Sequence, residues 1–405
     1  MFGFTRRLFL GGVFAGMAMS ADAKAPDVSL RPKKRPVGFS RRSAPDVGNL
    51  IASAQLGGNV TYCVVDVGSG ETLESHGGST ALPPASVTKA VTALYALQAL
   101  GPGYRFETRL WATRGVSNGI VQGDLVLAGG GDPTLDTNAL ATLASKLKQA
   151  GIREVRGKLR VWGGALPFER ILDDNQPEHV SYNPAISGLS LNFNRVHFEW
   201  KRVGGDYTVA MDARSNKYRP DVRVARISVA PRSQPVYTYT DKGDHDSWTV
   251  ARDALGNGGA RWLPVRKPDA YAAEVFATFA RSQGIQLKIG SPLASAPSGE
   301  VVASHASQAL PKILQGMLKF SNNLTAELVG MTATARLQGQ PRTLSQSARA
   351  MSAWASENLG MTGAKLVDHS GLNETSRLTA EAMAQALARV YGRGDLKPFL
   401  KDFPM

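Results

Sequence analysis

The sequence predicts an α/β fold in which a β-rich module interrupts a domain that contains most of the helices. Short apolar and β-branched runs, separated by glycine, proline and charged turns, extend from about residue 108 to 263. Helical spacing of apolar residues precedes this stretch and returns over residues 269–284. These changes divide the chain into one domain formed by residues 45–108 and 267–405 and an inserted domain formed by residues 109–266.

The chain has 405 residues, a formal net charge of +14 and a single cysteine, Cys63. This length suffices for two domains with sizeable cores, and a single cysteine excludes an internal disulfide framework. Cys63 lies in a β-branched run, residues 60–67, which predicts a buried strand and a core thiol. A turn at residues 68–70 leads into residues 71–76, so a strand pair precedes the first long helix.

The N-terminal segment has the features of an export signal followed by a basic arm. Residues 1–23 place Arg6 and Arg7 ahead of a short apolar run and end in a small-x-small cleavage pattern. This predicts a twin-arginine signal peptide, with a plain secretory signal as the alternative, and therefore export to the periplasm. Residues 24–44 are rich in proline, lysine and arginine, which indicates a flexible arm. An exported arm meets little nucleic acid, so we expect contact with an anionic membrane or cell-wall polymer, or a solvated tether without a partner.

A candidate nucleophile and its base lie at the start of a helix predicted from about Ser86 to Leu97. Residues three apart on a helix are about one turn apart, so the hydroxyl of Ser86 and the amine of Lys89 can meet. A serine needs an adjacent base, and a partly desolvated lysine can serve as one. Ser145 and Lys148 have the same spacing on an ordinary amphipathic helix, so the context of Ser86 carries the prediction.

A second candidate pair, Ser321 and Asn323, lies immediately ahead of an apolar helix. In an acyl-transfer site such a hydroxyl can pass a proton to the leaving group, while the amide holds the substrate and the lysine. The same Ser-x-Asn pattern occurs at residues 190–192 and 356–358, so position and context favour Ser321. Residues 244–246 read Asp-His-Asp, but no further His or Cys cluster accompanies them, and the sequence indicates neither a metal nor a cofactor.

Five segments, taken in order, resemble a known family. They are residues 86–89, 123–134, 182–192, 321–327 and 368–379. Together they resemble the class C low-molecular-mass penicillin-binding proteins, which are D-alanyl-D-alanine carboxypeptidases and endopeptidases of peptidoglycan. The similarity extends from about residue 45 to 392.

The resemblance implies a serine β-lactamase/transpeptidase-like domain with a large insert between the first two motifs. It implies Ser86 as the acylated nucleophile, Lys89 as its base, and Ser321 and Asn323 as the second motif. It also implies peptidoglycan stem peptides as substrates and β-lactams, including penicillin, as covalent inhibitors. The oxyanion hole would combine the backbone N–H of Ser86 with one from a facing strand.

The family's third motif, Lys-Thr-Gly on that facing strand, does not follow residues 368–379. A similar Lys-Ile-Gly sequence at residues 288–290 precedes Ser321 and is therefore out of order for this motif. From this we expect a chain that lacks its C-terminal strands and is catalytically impaired. A non-catalytic peptidoglycan-binding protein and a serine β-lactamase or esterase stay open as alternatives. Residues 368–370 read Asp-His-Ser, but consecutive residues cannot form a linear triad, so a turn near the site is predicted there.

Overall fold

The structure, a computed structural model, describes residues 47–393. The chain divides into two compact units, residues 1–58 and 59–405. The described part of the first unit contains one short helix, α1 (Val47–Ser53). The predicted export signal and basic arm, residues 1–44, lie outside the described residues.

The helices of the second unit begin where the sequence supplies start signals. They are α2 (Thr88–Leu100), α3 (Thr137–Gln149), α4 (Pro268–Ser282), α5 (Leu310–Phe320), α6 (Asn323–Gln338), α7 (Leu344–Leu359) and α8 (Ala380–Gly392). In four of them a side chain accepts a hydrogen bond from the first turn: Asp136 for α3, Asn322 for α6, Thr343 for α7 and Thr379 for α8. Proline in the first turn starts α4 and α5, where its missing N–H has no helical partner to lose.

The strands of this unit are short and lie mainly in the region predicted to be β-rich. They are β1 (Tyr62–Val65), β2 (Thr72–His76), β3 (Glu107–Ala112), β4 (Val116–Ser117), β5 (Ile120–Val121), β6 (Leu125–Gly129), β7 (Glu154–Val155), β8 (Leu159–Trp162), β9 (Arg195–Val203), β10 (Asp206–Asp212), β11 (Ala225–Ala230), β12 (Tyr237–Asp241), β13 (Asp246–Ala251), β14 (Gly258–Pro264) and β15 (Glu300–Ala306). In the described part of the chain they form sheets in the orders β1-β2, β10-β9-β14, β11-β13-β12, β15-β3-β6-β8 and β4-β5-β7.

One large apolar core belongs to the β-rich region. The sheet β15-β3-β6-β8 supplies Leu110 and Leu127, and α3 and α4 supply Leu143 and Phe276, all without solvent exposure. In this way α4 packs with the β-rich region, although the sequence division places it in the other domain. The domain boundaries at residues 109 and 266 stay a prediction. The packing of α4 favours a second boundary closer to β15.

A second apolar core surrounds α2, which packs against α5, α6 and α7. Buried residues occur all round α2, as expected for a central helix. Tyr95 illustrates the packing, because its ring lies 5.2 Å from that of Trp354 and its hydroxyl is 2.9 Å from Thr334 Oγ1. The helix that carries Lys89 is thereby fixed on several sides.

The predicted strand pair before α2 is present as β1 and β2 in antiparallel register. The prediction that its first strand is buried is wrong, because Cys63 is half-buried and Val64 is exposed. Within residues 47–393, β1 pairs with β2 alone and packs against α8, so only one side of the strand is covered. None of the helices within that range is both long and apolar enough to span a bilayer.

Candidate active site

Ser86 lies in a 3-10 turn, Ala85–Val87, directly ahead of α2. Residues three apart eclipse one another in a 3-10 turn, so Ser86 and Lys89 face the same side, as the sequence predicts. Ala85 adopts a left-handed conformation with φ of 46°. Gly371, with φ of 73°, lies so close that an added Cβ would overlap the Ala85 carbonyl oxygen. This contact holds the turn and leaves Ser86 exposed to solvent.

Lys89 is the centre of the site. Its Nζ donates to Ser86 Oγ at 3.1 Å, to Asn323 Oδ1 at 2.9 Å and to the Ser370 carbonyl oxygen at 2.8 Å. These three acceptors match the three N–H bonds of an ammonium group. If the group loses the proton directed at Ser86, its lone pair points at the serine hydroxyl.

Burial of Lys89 lowers its pKa, so that the ammonium can lose a proton near neutral pH. Lys89 is only 1% exposed, and desolvation lowers its pKa to about 8, although the charges of Glu327 and Asp368 oppose the shift. At pH 7 about one tenth of the molecules therefore carry a neutral lysine amine. The remainder have a charged, fully hydrogen-bonded ammonium that holds the surrounding segments together.

Ser321 and Asn323, at the junction between α5 and α6, also contact Ser86 and Lys89. Ser321 ends α5 in a left-handed conformation, with φ of 52° and ψ of 40°, and its Oγ donates to Ser86 Oγ at 2.7 Å. Asn322 caps α6, and Asn323 follows it with its Nδ2 donating to the Tyr182 carbonyl oxygen at 3.1 Å. The structure thus brings together Ser86, Lys89, Ser321 and Asn323.

The other matches to these patterns lie elsewhere. Ser145 and Lys148 lie on α3, where Lys148 is exposed to solvent. Asn358 is on α7 and accepts a hydrogen bond from Gln98. Residues 288–290 run beside β8, where Ile289 forms a bridge with Leu159, so this Lys-x-Gly segment belongs to the β-rich region.

Two buried acids, Glu327 and Asp368, lie behind the lysine, and the sequence did not predict their roles. Glu327 accepts hydrogen bonds from the backbone N–H groups of His369 and Ser370 at 2.9 and 3.0 Å. Asp368 accepts from those of Gly371 and Asn373 at 2.7 and 2.8 Å. The turn predicted at residues 368–370 is therefore shaped by acids and presents the Ser370 carbonyl oxygen to Lys89. An acid inside the apolar helix α6 was the signal that could have identified Glu327.

The electrostatics of these groups follow from their burial. Burial and the neighbouring Asp368 carboxylate raise the pKa of Glu327, and burial also raises the pKa of Asp368. Burial lowers the pKa of His369 to about 3, so this imidazole is neutral. His369 Nε2 lies 2.7 Å from Ser347 Oγ, and its ring stacks on Tyr95. His369 is a packing residue and not the base of the site.

Within residues 47–393 no cluster of three His, Cys, Asp or Glu side chains could hold a metal ion. Residues 244–246 are engaged otherwise, since Asp246 accepts hydrogen bonds from Tyr239 and from the backbone N–H of Arg266. The chemistry available at Ser86 is nucleophilic attack assisted by an amine and a second hydroxyl.

Sequence and structure comparisons agree with this geometry. A D-alanyl-D-alanine carboxypeptidase from an Actinomadura species is 28% identical over 394 residues, covering 85% of this chain and 67% of that protein. The D-alanyl-D-alanine carboxypeptidase DacB of Haemophilus influenzae is 24% identical over 382 residues, covering 89% and 77%.

Among solved structures, penicillin binding protein 4 of Haemophilus influenzae matches with a TM-score of 0.75 at 21% identity, covering 89% of this chain and 81% of that one. This confirms the predicted α/β transpeptidase-like fold. The profile of the D-Ala-D-Ala carboxypeptidase 3 (S13) family matches residues 44–405. The chain therefore belongs to this family of serine-type D-Ala-D-Ala carboxypeptidases, which are enzymes of the bacterial cell wall.

Proposed function

We propose that Ser86 is the residue acylated during cleavage of the terminal D-Ala-D-Ala bond of peptidoglycan stem peptides. One observation carries the assignment: Ser86 Oγ lies within hydrogen-bond distance of both Lys89 Nζ, at 3.1 Å, and Ser321 Oγ, at 2.7 Å. A base and a proton relay thus flank one exposed hydroxyl.

The reaction begins with the neutral form of Lys89, which takes the proton of Ser86 as Oγ attacks the carbonyl carbon of the penultimate D-alanine. The backbone N–H of Ser86 stabilises the developing oxyanion. Ser321 then passes a proton from Lys89 to the nitrogen of the departing D-alanine. Water attacks the resulting ester, and the same groups return Ser86 to its starting state.

Asn323 positions two partners in this scheme. Its Oδ1 accepts from Lys89, which fixes the amine, and its Nδ2 donates to the Tyr182 carbonyl oxygen, which joins the site to the loop ahead of β9. Loss of general-base assistance typically costs about 100- to 10,000-fold in rate. We therefore expect Lys89→Met to lose activity on this scale, and Asn323→Ala to lose less.

The test is labelling with a fluorescent penicillin followed by mass spectrometry of the adduct. A stable adduct on the peptide that contains Ser86, absent in Ser86→Ala and retained in Ser145→Ala, supports the peptidase. Rapid release of the label favours a β-lactamase, and failure to label favours a non-catalytic binding protein. An adduct that persists in Ser86→Ala refutes the assignment of the nucleophile.

Export by the twin-arginine route is the second part of the proposal, supported by Arg6 and Arg7 ahead of the short apolar run. Fusion of residues 1–44 to a reporter that folds before export tests it, since replacing both arginines by lysine should leave the reporter in the cytoplasm. The basic arm, residues 24–44, then holds the enzyme near anionic membrane or cell-wall polymer. Salt-dependent retention on anionic vesicles, lost when the arm is deleted, is the matching measurement.

A further inference from the structure

Three consecutive residues ahead of β9 adopt a left-handed backbone conformation that side chains disfavour. Asn192, Phe193 and Asn194 have φ values of 51°, 59° and 50°. For a bulky residue such as Phe193 this is a true outlier, and such outliers persist only where the surroundings enforce them. The Asn194 side chain accepts from the Leu191 N–H at 3.1 Å and donates to the Ala185 carbonyl oxygen at 2.9 Å. These hydrogen bonds hold the turn in its left-handed conformation.

This turn presents an arginine that lacks a counterion. The Arg195 guanidinium lies 5.0 Å from the Phe193 ring and 5.4 Å from the Trp262 ring. Its Nε is buried without a hydrogen-bond partner, and no described residue forms an ion pair with the group. Burial lowers the pKa of Arg195, yet a guanidinium keeps its charge. A partly desolvated cation of this kind favours an anionic ligand.

Two cavities that share Phe193 and Arg195 lead from this arginine to the second motif, Ser321 and Asn323. The larger, of about 890 Å³, is lined by Arg195 together with Arg105, His305 and Lys312, and by one acid, Asp136. The Asp136 carboxylate is occupied in capping α3. The cavity therefore carries an excess of positive charge.

The smaller cavity, of about 100 Å³, is also lined by Arg195 and Phe193 and reaches Ser321 and Asn323. Arg195 thus lines both the small cavity beside the second motif and the larger basic one. A peptide that extends from Ser86 through the small cavity meets this cation.

We propose that Arg195 binds a free carboxylate of the stem peptide, on the γ-linked D-glutamyl residue that precedes the residue carrying D-Ala-D-Ala. The inference rests on the proposed peptidase function and adds a specificity-determining residue to it. A planar guanidinium pairs with a carboxylate through two parallel hydrogen bonds. The Phe193 ring, held by the left-handed turn, fixes the guanidinium for that contact.

The test compares two peptides that differ in one group. One contains L-Ala-γ-D-Glu-L-Lys-D-Ala-D-Ala with its α-carboxylate free, and the other contains the carboxamide, γ-D-isoglutamine, at the same place. We expect the carboxylate peptide to have a kcat/KM about 10- to 100-fold higher, the range of a charge-assisted hydrogen bond. Arg195→Gln should reduce this ratio to near one, mainly by lowering kcat/KM for the carboxylate peptide. Arg195→Lys should retain part of the preference.

Arg109→Gln is the control, because Arg109 pairs with Glu107 and does not line either cavity. This variant should keep the full preference. A preference that persists in Arg195→Gln, or a wild-type ratio of one, overturns the proposal even if both peptides are cleaved.

Calorimetry separates failure of the subsite from failure of the catalytic assignment. If neither peptide is cleaved and penicillin does not label Ser86, the proposed function fails. Binding of the two peptides to the Ser86→Ala protein, with and without Arg195→Gln, then still measures the subsite. Tighter binding of the carboxylate peptide that requires Arg195 supports the proposal. If inorganic phosphate at constant ionic strength binds through Arg195 while both peptides bind equally, the ligand is a free oxyanion and the peptide assignment is wrong.

Discussion

Replacing Glu327 by glutamine is expected to move the pH dependence of Ser86 acylation to lower pH. Acylation requires the neutral form of Lys89, so its rate should rise with pH through the lysine pKa of about 8. The charges of Glu327 and Asp368 raise the pKa of Lys89 and so oppose the effect of desolvation, and that of Glu327 has the larger effect. Removing its negative charge destabilises the ammonium and leaves the neutral amine unaffected.

The size of the shift follows from the environment of the pair. A nearby opposite charge moves a pKa by about 1 to 3 units. Because burial raises the pKa of Glu327 and so opposes its negative charge, the lower end applies. A shift of Lys89 from about 8 to about 7 raises the neutral fraction at pH 7 from about one tenth to about one half. The variant should therefore react faster below neutrality, while its weaker base lowers the plateau at high pH.

The same substitution has a structural cost that can be measured separately. The Glu327 carboxylate accepts two backbone N–H groups, from His369 and Ser370, whereas a glutamine side chain offers one oxygen. One buried N–H is left unpaired, which costs about 1–3 kcal/mol of unfolding free energy. Chemical denaturation should show this loss, and the rates should be compared at temperatures where both proteins are folded.

The assay is stopped-flow acylation by a fluorescent penicillin over a pH series. Asp269→Asn is the matched control, because it neutralises a carboxyl on α4 whose pKa burial also raises and which bonds to Ser187 and not to the site. That variant should keep the midpoint at about 8, the pKa of Lys89. If the midpoint of the rate–pH curve of Glu327→Gln stays at about 8 or rises, the predicted direction of the shift is wrong. If the rate does not change with pH in this range, Lys89 is not the base.

Three further predictions concern stability and organisation. Gly330→Ala should destabilise by about 1–3 kcal/mol, because its Cβ would overlap the His369 ring; Gly316→Ala, with open space on α5, should stabilise by about 0.4–1 kcal/mol in the same denaturation assay. Burial lowers the pKa of His369 from 6.5 to about 3, so below about pH 6.5 only the unfolded chain takes up this proton. The unfolding free energy should then fall by about 1.4 kcal/mol per pH unit, and His369→Gln should have a shallower slope. Limited proteolysis should cut at the exposed residues 291–299 and spare the mainly buried residues 264–268, whereas a cut at 264–268 would support the boundary predicted at 266.

Local patterns predicted the parts of the fold that depend on neighbouring residues. The β-rich stretch predicted from about residue 108 to 263 corresponds to β3 to β14, and the periodic segment 269–284 corresponds to α4. Alternation and helical spacing are properties of a single segment, so they can be recognised without knowing its partner. The pattern of a segment does not show which element it packs against, so the packing of α4 with the β-rich core was not predicted.

The same limit applies to the active site. The spacing of Ser86 and Lys89 is local and was predicted, whereas the Ser370 carbonyl oxygen that accepts from Lys89 lies 281 residues away in sequence. A backbone carbonyl has no side-chain identity to recognise. Ser190 and Asn192 show the converse, since they match the Ser-x-Asn pattern but brace the left-handed turn before Arg195. Pattern alone cannot separate a residue that reacts from one that holds a turn.

Backbone conformation at the site explains why these side chains stay aligned. Ala85 and Ser321 are non-glycine residues with positive φ, and Gly371 supplies a third left-handed position against Ala85. Each such conformation is unfavourable for an L-residue by about 1–3 kcal/mol and persists because packing overdetermines it. The fully hydrogen-bonded Lys89 ammonium links all three segments, through Ser86, Asn323 and Ser370. When it gives up a proton, the backbone still holds the Ser86 and Ser321 hydroxyls in place, so the base can be weakened by burial without loss of the geometry that proton transfer needs.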